Sequence, residues 1–193
     1  MNLAAVYAQY ERKTLLMGFD LRKPKIYQDF GLTNTAGITS YLIGNASLDD
    51  IIQKSPFENL DVIMSGPVPP NPAELIASPK TAEMMEKLKE RYDFIILDTP
   101  PFGLVTDAFL LMQYVDAKIL VVRQNLTHKK VFSSIAQDIE NRNIPNMVVL
   151  MNDVKPEKSG YYGYGYGYGY GYGYGYGYGY GYGYGYGYGY YSD

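Results

Sequence analysis

Two aspartates carry the strongest chemical signal in this sequence. One closes the run Leu15-Leu16-Met17-Gly18-Phe19-Asp20 and is followed by Leu21, Arg22, Lys23 and Pro24. The other closes Phe94-Ile95-Ile96-Leu97-Asp98 and is followed by Thr99-Pro100-Pro101. Each places a carboxylate at the end of a short apolar run that reads as a buried strand. In open α/β sheets the carboxyl ends of the strands are where ligands bind. A carboxylate there suits Mg2+, held directly or through water, because Mg2+ takes oxygen ligands and shares them with substrate phosphates. Asp20 and Asp98 together, with Arg22 and Lys23 beside the first, fit a metal–phosphate site. Either aspartate alone reads equally well as a loop cap. The pair, taken with the tail described next, favours chemistry.

Residues 161–193 are a different material, holding 17 of the 23 tyrosines and 14 of the 21 glycines. From Tyr162 to Tyr190 tyrosine and glycine alternate strictly. A segment in which every second residue has no side chain cannot build a packed core, so disorder is expected, with self-association of the aromatic repeat as the alternative. As chemistry, tyrosine is a phosphate acceptor, and flanking glycines give a cleft access to it. Each phosphate would add about −1.5 to −2 charges, making the tail self-repelling. A sticky structural repeat is the competing reading.

The rest of the composition excludes more than it suggests. With no cysteine and a single histidine, His128, the chain has neither a disulfide framework nor a thiolate or histidine-cluster metal site. His128 reads as the surface start of a helix. Residues 1–160 carry 17 basic and 19 acidic side chains, so no basic field argues for nucleic acid as a partner. No apolar run approaches the roughly 18 residues of a membrane span.

The elements that must position the aspartates follow from periodicity. Apolar runs at Thr14–Phe19, Leu60–Met64, Phe94–Leu97, Lys118–Val122 and Met147–Met151 predict strands. Being continuously apolar rather than alternating, they are expected to be covered on both faces. Helical spacing is found in Ala82–Tyr92, with Met85, Leu88 and Tyr92 on one stripe, and in Thr106–Tyr114. Lys129–Asn141 is a further helix, with Val131, Ile135 and Ile139 expected as a core stripe. Short helices are expected at Gly37–Ile43 and at Ser47–Gln53, the latter capped by Ser47. Ser65–Pro72, with four prolines in eight residues, is a rigid loop. Strands alternating with helices predict a mostly parallel sheet flanked by helices. The expected organisation is a body over residues 1–154 and a low-complexity tail over 155–193.

With these residues in view, the chain resembles the bacterial tyrosine kinases (BY-kinases) of capsular and exopolysaccharide export. LLMGFDLRKPKI resembles their Walker A′ motif, YDFIILDTPP their Walker B motif, and GPVPPNPAELIAS the proline-rich segment between the two. VLMNDVKPEKSGYYGYGYG resembles their last strand running into a tyrosine cluster. The resemblance implies an α/β P-loop NTPase-like fold related to MinD and ParA. It implies ATP and Mg2+ as cofactors, with Asp20 and Asp98 as metal-binding and catalytic residues, and Arg22, Arg123 and Asn152 as further cofactor contacts. It implies autophosphorylation at Tyr161, Tyr162, Tyr164, Tyr166, Tyr168, Tyr170, Tyr172, Tyr174, Tyr176, Tyr178, Tyr180, Tyr182, Tyr184, Tyr186, Tyr188, Tyr190 and Tyr191. The implied partners are further copies of the chain in a ring, with the tail acting in trans, and a membrane polysaccharide co-polymerase segment on the same or another chain. The implied place is the cytoplasmic face of the cell membrane.

The sequence departs from the family pattern in two ways. The first of two usual acidic positions in the A′ motif is Gly18 here, which leaves Asp20 to orient metal or hydroxyl alone. No G-x-x-x-x-G-K-[ST] occurs, and Asn2–Glu11 resembles the helix that follows that loop. The sequence therefore reads as a fragment without its first, central strand, and neighbouring strands are expected to border an unfilled slot. Arg123 also fits a solvated loop residue, and Asn152 with Asp153 a plain turn. Two other functions compete: a non-catalytic module whose tail is phosphorylated by a complete kinase, and a MinD/ParA-like ATPase.

Overall fold

The run Thr14–Gly18 forms β1, which is buried at every position in the computed structural model of the chain. The structure describes residues 1–26, 30–102 and 106–155. β1 lies between β3 (Leu60–Ile63) and β4 (Phe94–Asp98) and runs parallel to both. β2 (Ile52–Lys54) pairs antiparallel with β3, giving the order β2-β3-β1-β4.

Alternate residues of β1 enter opposite layers, which is why the run is apolar throughout. Leu15 and Met17 join Met84, Met85 and Leu88 of α5 (Pro79–Lys89) and Ile38 of α2 (Ile38–Leu42). Leu16 faces the other way, onto Ala4 and Ala8 of α1 (Asn2–Gln9) with Leu60 and Val62. The two alanines present no bulk toward the sheet, and Tyr7 of the same helix stacks on Phe94 with ring centroids 4.0 Å apart.

α3 (Leu48–Ile51) has the expected cap: Ser47 Oγ accepts from the Asp50 amide, and Asp50 Oδ2 accepts from the Ser47 amide at 2.8 Å. That helix ends earlier than its spacing suggests. Ile52 turns to extended backbone and enters β2, because a β-branched residue beside the edge of β3 finds a ladder partner there. α4 (Pro72–Ile76) closes the proline-rich loop with proline at its first position. After β4 come α6 (Asp107–Leu111), a 3-10 turn (Met112–Tyr114), β5 (Lys118–Arg123), α7 (Lys129–Asn141) and β6 (Met147–Asn152).

β5 and β6 form a separate parallel pair, with Lys118 opposite Met147 and Arg123 opposite Asn152. Here burial departs from expectation. Val148, Val149, Leu150 and Met151 are 51–62% exposed, and α7 buries no residue, with Val131 52% exposed. The predicted α7 core stripe and the two-sided covering of β6 are therefore both absent. The reason is topological. Among the described residues β4 pairs only with β1, and β5 only with β6, so the sheet is interrupted between them. The apolar side chains of β6 and α7 therefore lack covering neighbours among the described residues. Among the described residues, no helix is long and apolar enough to cross a membrane.

Candidate functional site

Parallel pairing sets Gly18 opposite Asp98, so β1 and β4 leave the sheet at the same edge. The Phe19 amide donates to the Asp98 backbone carbonyl at 2.7 Å, extending the pairing one residue past β1. Asp20 comes next. A shallow cleft at this edge is lined by Gly18, Asp20, Pro24, Lys25, Ile26, Met64, Ser65 and Asp98. The two aspartates singled out from sequence thus border one cleft, brought there from 78 residues apart.

Asp20 is half-buried, and its Oδ1 accepts from the backbone amides of Arg22 at 3.1 Å and Lys23 at 3.0 Å. An aspartate that organises its own turn in this way holds its carboxylate in a set direction. Asp98 is exposed at the rim. Among the described residues no group of three or more His, Cys, Asp or Glu side chains could hold a metal ion. Two carboxylates, with the other positions left for water and phosphate oxygens, suit Mg2+, which keeps several waters and needs no all-protein cage.

The opposite wall is the exit of β3. Buried Ser65 donates from Oγ to Asn34 Oδ1 at 3.3 Å. Asn34 also brackets Gly66, accepting from its amide at 2.8 Å and donating to its carbonyl at 3.0 Å. Gly66 has φ +78°, in the left-handed region that glycine adopts without penalty.

Arg22 has a partner inside the fold. Its guanidinium forks onto Asp107, with Nε to Oδ2 at 2.7 Å and Nη2 to Oδ1 at 3.0 Å. Asp107 is fully buried, whereas the Arg22 side chain is 39% exposed. The hydrogen bond to Asp107 raises the already high pKa of the guanidinium; burial opposes this, and the charges of Asp107 and Asp20 add to it. Sequence reasoning did not single out Asp107. Its only local signal is an acidic residue in the first turn of a helix, which the helix dipole alone would explain.

Arg123 and Asn152 end β5 and β6 opposite one another. They belong to the two-stranded sheet and do not line the Asp20–Asp98 cleft. Arg123 Nη2 pairs with Asp153 Oδ2 at 2.9 Å, with both side chains about half exposed. His128 stands exposed immediately before α7. The tail tyrosines, Tyr161 to Tyr191, lie outside the described residues.

A sequence profile described as an AAA domain matches residues 1–141. The tyrosine-protein kinase YwqD of Bacillus subtilis is 39% identical over 165 residues, which is 84% of this chain and 70% of that protein. The chain belongs to the bacterial tyrosine-kinase family. The kinase domain of the Escherichia coli tyrosine kinase ETK superposes with a TM-score of 0.75 at 36% identity, over 85% of this chain and 64% of that one. The septum site-determining protein MinD of Pyrococcus horikoshii, solved with Mg-ADP, superposes with a TM-score of 0.61 at 26% identity, over 77% of this chain and 60% of that one. The fold is thus the MinD-like α/β fold of P-loop NTPases, in the branch that contains tyrosine kinases.

Proposed function

We propose that this chain carries the carboxylate side of an ATP-dependent protein-tyrosine kinase site, with Asp20 and Asp98 as Mg2+ ligands and its own tail tyrosines as acceptors. The observation that carries the reading is the register that sets Gly18 opposite Asp98 and so delivers both carboxylates to one edge. Bound Mg2+ would neutralise phosphate charge during transfer. Asp20, fixed by its own turn, and Asp98 would hold the ion, and Asp20 would also orient the acceptor hydroxyl. Arg22 supports the turn through Asp107. Arg123 and Asn152 would join a nucleotide site only in a completed sheet. The backbone cradle for the phosphates would enter between β4 and β5, which do not pair with each other among the described residues, on a strand that ends in a glycine-rich loop. Residues 1–154 then form the kinase body and 155–193 the substrate tail. The tail is modified in trans, within a ring of copies attached to a polysaccharide co-polymerase segment at the cytoplasmic face of the membrane.

A second reading is favoured by the lack of any G-x-x-x-x-G-K-[ST] in the sequence. In it the chain is a non-catalytic module whose tail is phosphorylated by a complete kinase. The two are separated by a phosphotyrosine blot of the chain with Mg-ATP, with and without a complete kinase domain. Labelling that needs Asp20 and Asp98 of this chain supports the first reading, and labelling only when a complete kinase is added supports the second. ATP hydrolysis without tail phosphate would instead mark a MinD-like ATPase.

A further inference from the structure

Arg22 is the cation closest in sequence to Asp20, and the two share one turn, the Arg22 amide donating to Asp20 Oδ1. A guanidinium in that place competes with a metal ion. It forks onto carboxylates bidentately and stays charged at every accessible pH. In this structure both arms of that fork are committed 85 residues away, on Asp107 Oδ1 and Oδ2. Asp107 is fully buried, and among the described residues Arg22 is its only charged partner, so loss of the pair would strand a negative charge in the protein interior. The attachment point is well placed. Asp107 opens α6, which follows β4 in the chain, and it is not among the residues that line the cleft, so the anchor draws the guanidinium to a partner outside the cleft.

We infer that Asp107 is a positioning residue that holds the Arg22 guanidinium away from Asp20, so that it does not compete with a divalent cation for that carboxylate. This rests on the Mg2+ site proposed above. It assigns to Arg22 a partner inside the fold in place of a direct phosphate contact.

The test uses the full chain with Mn2+ alone as the probe, its binding followed by water-proton relaxation. Salt is held at about 0.5 M, where distant charges are screened. Circular dichroism confirms the fold of each variant. Asp107→Asn, which is isosteric, should weaken Mn2+ binding about three- to fivefold, the scale of a partly exposed charge pair, because the released Arg22 neutralises Asp20. Adding Arg22→Gln to Asp107→Asn should return the affinity to within about twofold of the wild type, since the competitor is then gone. A pair with a purely structural role predicts a double variant at least as weak as Asp107→Asn, and that result overturns the inference. Mn2+ binding that depends on Asp20 but ignores Asp107→Asn overturns it as well. Binding unchanged by Asp20→Asn refutes the metal-site reading itself and takes this inference with it. If Asp107→Asn does not fold, Arg22→Lys decides: lysine keeps the charge but cannot fork, so part of the affinity should be lost, and unchanged affinity is the refuting result.

Discussion

Gly37→Ala tests how closely the wall of the cleft is built. A Cβ at Gly37 would stand 2.2 Å from the Met64 carbonyl oxygen, 2.5 Å from the Gly66 nitrogen and 2.7 Å from the Met64 carbonyl carbon. All three are backbone atoms, so no side chain can rotate away. The φ of Gly37 is 178°, an extended angle open to any residue, so the penalty is steric and not torsional. Restoring ordinary contact requires α2 to withdraw by about 1 Å. That movement stretches the hydrogen bonds from Ile38 N to Met64 O at 2.8 Å and from Thr39 N to Ser65 O at 2.9 Å. Each such bond contributes about 0.5–1.5 kcal/mol net, and overpacking adds about 1–3 kcal/mol, so a loss of about 3 kcal/mol is expected. For a domain of this size that lowers the melting temperature by about 6–12 °C. Gly18→Ala is the control on the other side of the cleft. Its Cβ would lie 3.6 Å from Ser65 N and 3.7 Å from Ile63 O, which is ordinary contact. Removing a strand glycine there should leave stability unchanged or raise it by up to about 1 kcal/mol. The chain has no tryptophan and most of its tyrosines lie in the tail, so urea unfolding is best followed by far-ultraviolet circular dichroism. A Gly37→Ala loss below about 1 kcal/mol, or one equal to that of Gly18→Ala, would refute the close-packing argument.

Burial, and then the hydrogen bond from its hydroxyl to Asp61 Oδ2, raise the pKa of Tyr92 above its ordinary 10.0. The unfolded chain therefore loses this proton first, so the contribution is complete below pH 10.0 and declines as pH rises beyond it. Tyr92→Phe should remove that part of the alkaline fall in melting temperature, and an unchanged fall would exclude Tyr92 as its source. Val121 is 53% exposed and shares the uncovered face of the β5–β6 pair with Leu150, whereas neighbouring Val122 is 7% exposed. Val121→Lys should reduce binding of an apolar dye with a stability change within about 0.5 kcal/mol, and Val122→Lys should destabilise by about 3 kcal/mol; similar losses from both would contradict the assigned faces. Replacing all 17 tail tyrosines by phenylalanine should abolish tail labelling and leave the unfolding of the body unchanged, and a shifted transition would show that the tail supports the fold.

The element types were legible in the sequence because they depend on neighbours within a few residues. The continuous apolar runs of β1, β4, β5 and β6, the Ser47 cap, the Met85–Leu88 stripe of α5 and the placing of Asp20 and Asp98 at strand ends all followed from local pattern. The motifs around the two aspartates were enough to indicate the family. The tertiary structure alone decided what depends on distant partners. The register that sets Gly18 opposite Asp98, the capture of Ile52–Lys54 by the edge of β3 and the commitment of Arg22 to Asp107 are long-range pairings that local pattern cannot specify. The exposure of α7 and β6 has the same origin. An apolar run shows that its side chains would gain by burial, but burial needs a covering neighbour, and between β4 and β5 the described residues supply none.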